Sequence, residues 1–105
     1  MANAKTERAE IIRDGGKPQK NSGRGQIQKG DAKLEPFIYD VKEYSKSFDI
    51  SRSVWVKTTS DAIKGGMEPA LKLVIGDEGE VKIRLWVISD DMFHQMLEAW
   101  SEKYE

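Results

Sequence analysis

The chain has 105 residues, with 17 Lys/Arg against 18 Asp/Glu, one histidine and no cysteine, enough for one compact domain and too little for two ordinary cores. The lack of cysteine excludes disulfide scaffolds, thiol nucleophiles and thiolate-bound zinc or iron–sulfur centres, and His94 as sole histidine leaves any metal to hard carboxylate chemistry. The N-terminal stretch MANAKTERAE lacks the apolar core of a signal peptide, and no apolar run approaches membrane length, so the sequence predicts a soluble cytoplasmic protein.

In chain order, the first expected element is a short helix over residues 5–13, with Ala9 and Ile12 on one face, stopped by Gly15, Gly16 and Pro18. Residues 15–25 read as a mobile Gly-rich loop, followed by a short strand at 26–29. From Pro36 the sequence FIYDVK predicts a strand. Its period of two sets Phe37, Tyr39 and Val41 on one face and Ile38, Asp40 and Lys42 on the other. Ser51 is a candidate N-cap for a helix over residues 52–64 that ends at Gly65-Gly66, although its β-branched Val54, Val56, Thr58 and Thr59 suit a strand equally. Residues 70–75 and 81–88 read as two strands joined by the GDEG turn at 76–79. Asp90 is placed to cap a last helix whose Met92, Phe93, Met96, Leu97 and Trp100 form one apolar stripe expected to pack on the sheet. The expected fold is α/β, a small mixed sheet flanked by helices, in one domain with a basic loop at about 15–30.

Charge is unevenly spread. Residues 1–57 hold 12 Lys/Arg against 8 Asp/Glu, a net of +4, and residues 58–105 hold 5 against 10, a net of −5. Lys17, Lys20, Arg24, Lys29 and Lys33 punctuate the Gly-rich stretch, a spacing that suits a phosphate backbone and equally an ordinary solvated loop.

An acid, any residue, then lysine occurs three times: Asp31-Ala32-Lys33, Asp40-Val41-Lys42 and Glu80-Val81-Lys82. The last follows a turn and reads as a solvated hairpin pair. Asp40 and Lys42 lie in the most strand-like segment of the basic half, where burying an acid and a base without a role is costly. A carboxylate there could hold a hard cation, and a lysine on the same face could orient water or stabilise charge on a phosphate. A second carboxylate is required. Asp31 could reach the spot if the chain doubles back near Pro36, and the Val41 carbonyl could add an oxygen.

The stretches KGD at 29–31, FIYDVK at 37–42, SKSFDISRS at 45–53 and PALKLVI at 69–75, in this order and spacing, resemble the Holliday-junction resolvase branch of the PD-(D/E)XK nuclease superfamily, especially its small phage and archaeal members. The resemblance covers roughly residues 7–90. It implies a restriction-endonuclease-like fold and an Mg²⁺-dependent endonuclease of branched DNA, with Mn²⁺ as a substitute. It also implies Asp31 and Asp40 as metal-binding acids, with Val41 beside them, and Lys42 as the catalytic lysine. Glu10 or Glu7 would be the further acid on the first helix. Gly30 stands before the first acid where much of the superfamily has proline, and Asp40 replaces the commoner Glu. Lys17, Lys20, Ser22, Arg24 and Lys29 are candidate DNA contacts, as are Ser45, Lys46, Ser47 and Arg52 beyond the active strand. A host cytoplasm follows if the chain is phage-encoded. The alternatives are a catalytically silent nucleic-acid-binding module, a nicking, restriction-type or repair nuclease of the same fold, and a structural or interaction protein. Large apolar groups at Trp55, Ile63, Phe93, Leu97 and Trp100 point to a homodimer, as does the resemblance.

Overall fold

The computed structural model describes residues 4–20 and 27–104. Helix α1 (Ala4–Arg13) is followed by strands β1 (Lys17–Lys20), β2 (Ile27–Leu34) and β3 (Phe37–Tyr44), helix α2 (Arg52–Lys64), strands β4 (Glu68–Ile75) and β5 (Ile83–Ile88), and helix α3 (Asp90–Tyr104). The five strands form one mixed sheet in the order β1-β2-β3-β4-β5, with three helices about it. The α/β expectation holds, with one strand more on its N-terminal side.

Local chemistry explains most of the boundaries. Gly15, at φ +80°, leaves α1 through the left-handed region, and the amide of Gly16 reaches back to the Ile11 carbonyl at 2.9 Å. Ser51 caps α2 by accepting from the Val54 amide at 3.2 Å. The β-branched residues of α2 are accommodated as helix, and the Thr58 hydroxyl donates to the Val54 carbonyl one turn back at 3.0 Å. The cap of α3 is Ser89 and not Asp90: its hydroxyl accepts from the Met92 amide at 3.0 Å.

The antiparallel β2–β3 pairing runs from Leu34↔Phe37 to Asp31↔Asp40. The parallel β3–β4 pairing is made through the α2 crossover, and β4 returns antiparallel into β5. Because Val41 pairs with Lys72 and Tyr39 with Ala70, the α1 face of the sheet carries Tyr39, Val41, Ala70, Lys72 and Val74. Ile11, Ala32, Tyr39, Val41, Ala70 and Val74 make the core there. The opposite face holds Leu71 and Leu73 beneath α2, with its buried Thr58 and Ala62. Strand β4 is covered on both sides, which accounts for its near-continuous apolar sequence.

Two further expectations are corrected. The stretch expected as a loop over 15–25 contains β1, which pairs antiparallel with β2 through Lys17↔Lys33, Pro18↔Ala32 and Lys20↔Ile27. Glycine and proline signal a break, yet Pro18 is tolerated because β1 is an edge strand whose outer side needs no ladder bond. Of the basic loop expected at 15–30, residues 17–20 lie in β1 and 27–30 in β2, and the rest of its candidate contacts, Ser22 and Arg24, lie outside the described residues. The expected packing of α3 on the sheet is not seen either, since none of its residues is buried against the described chain. Among the described residues, no helix is long and apolar enough to cross a membrane.

Candidate functional site

The hairpin through Glu35-Pro36 brings the two acids of the N-terminal half together in register: Asp31 on β2 stands directly across from Asp40 on β3. Cross-strand partners have Cα atoms about 4.5–5.5 Å apart. One pleat further, Lys42 shares the face of Asp40, and its ammonium lies 2.8 Å from the Asp40 carboxylate. The pair is sheltered without being sealed, Asp40 with 14% and Lys42 with 28% of the side chain exposed. Phe48 closes one side, with its ring centroid 5.9 Å from the Lys42 ammonium and 5.0 Å from the Tyr44 ring. These contacts fold residues 45–48 back against β3, so exposed Ser45, Lys46 and Ser47 border the site. Arg52 is exposed at the first position of α2. Lys17 is exposed on β1, Lys20 and Lys29 fall within β1 and β2, and Ser22 and Arg24 lie outside the described residues.

Glu10 is not brought to this group. It belongs to the other face of the sheet, where both its carboxylate oxygens accept from Arg84 (Nε and Nη2, each 3.0 Å) and Oε1 also lies 2.9 Å from the Lys72 ammonium. Lys72 is 1% exposed and reaches Asp14 at 2.5 Å. Asp14 accepts in turn from the Tyr39 hydroxyl at 3.2 Å. The Trp86 ring lies 5.5 Å from the Lys72 ammonium and meets Tyr39 edge to face, centroids 4.9 Å apart. The Arg84 fork, opposed by burial and aided by Lys72, lowers the Glu10 carboxyl from 4.5 to about 2. Burial first, then the Asp14 charge, raises the Tyr39 phenol above its usual range. Glu7, the alternative acid of α1, is buried as well.

The sequence carried signals for this second group. Asp14, just past the end of α1, is one turn on from Glu10, its amide donating to the Glu10 carbonyl at 3.0 Å, and Lys72 interrupts an otherwise apolar strand at an inward position. Every member finds a partner, and no buried side-chain nitrogen or oxygen among the described residues is left unsatisfied. Its chemistry is that of a clamp joining α1 to β4 and β5. Glu80 is local to the turn, accepting from the Asp77 amide at 2.6 Å, whereas Lys82 donates to the Gly76 carbonyl at 2.7 Å and also lies 3.6 Å from the Glu43 carboxylate of β3.

Among the described residues no three His, Asp or Glu side chains cluster as a metal site. What the hairpin offers is an all-oxygen set, Asp31 and Asp40 opposite each other in register with the adjacent Val41 backbone, and that chemistry fits a hard divalent cation. In comparison with known proteins, no family model and no curated sequence matches the chain.

Proposed function

We propose that the chain is a divalent-metal-dependent DNA endonuclease, with branched DNA such as a Holliday junction as its substrate and the cytoplasm as its place of action. The observation that carries this reading is the registered hairpin, with Asp31 across from Asp40 and Lys42 one pleat on, 2.8 Å from Asp40. Asp31, Asp40 and the Val41 carbonyl would hold Mg²⁺ or Mn²⁺. Such an ion supplies positive charge beside the scissile phosphate. Lys42, held by Asp40 and by the face of Phe48, has one ammonium proton directed to the carboxylate and others free to orient a water or a non-bridging phosphate oxygen. Attack of that water on phosphorus forms the new P–O bond as the bond to the 3′-oxygen breaks. Ser45, Lys46, Ser47 and Arg52 would take the flanking phosphates.

The test is a cleavage assay on a four-way junction and a linear duplex, with and without Mg²⁺. Metal-dependent product from the junction supports the reading. A second reading, a silent DNA-binding module, is favoured by the commitment of Glu10 to Arg84 and Lys72, which leaves one acid fewer for a metal. Salt-sensitive junction binding without cleavage at any divalent-ion concentration would select it.

A further inference from the structure

The connection from β3 to α2, residues 45–51, carries two large apolar side chains in a stretch otherwise made of small hydroxyls and charges. Phe48 is half-buried. Its ring lies 5.0 Å from that of Tyr44, tilted by 31°, and 5.9 Å from the Lys42 ammonium, so it packs on the strand face that carries Asp40 and Lys42. Ile50, two residues on, keeps 44% of its surface exposed. The groups that flank the two in the chain suit a phosphate backbone: Ser45, Lys46, Ser47 and Arg52, all exposed. Asp49 is the one acid between 45 and 53. An exposed isoleucine by itself is ordinary. An aromatic and an aliphatic side chain set among cations, beside the Asp40–Lys42 pair, have the composition of a surface that takes a nucleobase. By contrast, the apolar groove on the other face of the sheet, which includes Phe37, Trp86 and Ile88, is lined by Asp14 and by no cation.

We propose that Phe48 and Ile50 form an apolar wedge that receives an unstacked nucleobase beside the scissile phosphate. The DNA taken by this site is then defined by an unpaired nucleotide next to the cut, as at a junction, flap, bulge or mismatch, and not by a matched duplex. The position of the cut rests on the nuclease reading. Extruding a base from a matched duplex costs its pairing and stacking, whereas at a mismatch or branch point most of that cost is absent. The gain from stacking on the wedge is the same in both cases. The site therefore discriminates through the deformability of the DNA, without reading a base edge. Tyr44 and Lys42 hold the Phe48 ring before DNA arrives, so little ordering is required on binding. Lys46 and Arg52, on either side of the wedge in the chain, take the phosphates before and after the extruded nucleotide. Asp49 repels phosphate and keeps the backbone off the apolar tip.

The test titrates the full chain, without divalent ion so that no strand is cut, against a four-way junction, a duplex with one mismatch and a matched duplex. Each carries 2-aminopurine at the branch point, the mismatch or the equivalent position. Binding should raise 2-aminopurine emission severalfold in the first two, and the mismatched duplex should bind about tenfold more tightly than the matched one. Phe48→Leu and Ile50→Ser should each lose the rise and bring that ratio toward one. Their slope of log affinity against log salt should stay that of the parent, since the phosphate contacts remain. Phe48→Tyr, which keeps the ring, should keep both the rise and the ratio. Ile50 is exposed, so Ile50→Ser should retain the parent circular-dichroism spectrum, and its loss of the rise is not a loss of fold. Flat emission in the parent, equal affinity for the matched and mismatched duplexes, absence of DNA binding, or parent behaviour in both Phe48→Leu and Ile50→Ser would each overturn the proposal. Unstacking with no cleavage once Mg²⁺ is added keeps the wedge as part of a DNA-binding surface and removes the nuclease. Junction cleavage with flat emission keeps the nuclease and removes the wedge.

Discussion

Lys42 and Lys72 lie on neighbouring strands and face opposite sides of the sheet, and their surroundings give them different work. Lys42 keeps 28% of its side chain exposed and has Asp40 as its ion-pair partner, a half-open arrangement worth about 0–1 kcal/mol to the fold. Asp40→Asn and Lys42→Met should therefore keep the parent circular-dichroism spectrum. Each should lower metal-dependent junction cleavage by about 10²-fold or more if these groups handle the reacting water and phosphate. Cleavage at the parent rate by either variant would remove that residue from the chemistry. Lys72 has no such latitude. Truncating it to alanine leaves Glu10 and Asp14 short of a buried cation, and removal of one partner from such a set costs about 3–5 kcal/mol, measurable by urea denaturation.

The same network gives the fold an acid limit. The Glu10 carboxyl lies at about 2 in the folded chain against 4.5 ordinarily. A depressed folded value means stability that is complete above about pH 4.5 and disappears as pH falls toward 2, roughly 3 kcal/mol across that window. In Glu10→Gln this contribution is absent at every pH. Denaturation curves of parent and variant should thus differ most at neutral pH and converge as pH drops from 4.5 to 2. A gap that stayed constant over that range would mean that the Arg84 fork does not set the titration of Glu10.

At the scale of elements, legibility followed how local the determining forces were. The α2 boundaries, residues 52–64, were readable because Ser51 and Gly65 mark both ends in the chain itself. The site pair was readable because Ile38, Asp40 and Lys42 alternate with Phe37, Tyr39 and Val41, and strand period alone assigns their faces. Strand β1 was not, because KPQK has little strand propensity and owes its form to pairing with β2. Nor could spacing show that Glu10 would turn from Asp40 toward Arg84, 74 positions away in the chain. The exit of α1 offers a test of how tightly these elements fit. A Cβ on Gly16 would stand 2.6 Å from the Tyr39 hydroxyl and 3.4 Å from Ile11. That hydroxyl is tied to Asp14 and cannot swing aside without breaking the bond. Gly16→Ala should cost about 1–3 kcal/mol by the usual penalty for overpacking, read as a lower urea midpoint. An unchanged midpoint would show that α1 rides loosely on β3.

Across the whole molecule, the sheet order separates the charges that the sequence divides between its halves. The lysine-bearing β1 is one edge strand, and β5, leading into acidic α3, is the other. Four strand spacings of about 4.8 Å set these edges roughly 19 Å apart, beyond the ~8–10 Å screening length at moderate salt. The acidic edge therefore does not cancel the basic one, and a chain with a net charge of only −1 can still present one cationic side to DNA. The two cations in β5 and the turn before it are already engaged, Arg84 by Glu10 and Lys82 by Glu43, so the β1–β2 lysines and Lys46 are the better candidates for phosphate. Replacing Lys17, Lys20, Arg24 and Lys29 by glutamine should weaken junction binding and flatten the dependence of log affinity on log salt by up to about 3–4, near 0.9 for each phosphate no longer neutralised. Glu98→Gln, beyond the β5 edge, should leave that slope alone. An unchanged slope in the fourfold variant would move the DNA surface off the β1 edge and onto Lys46 and Arg52, while a slope altered by Glu98→Gln would show that the two edges are not electrostatically independent.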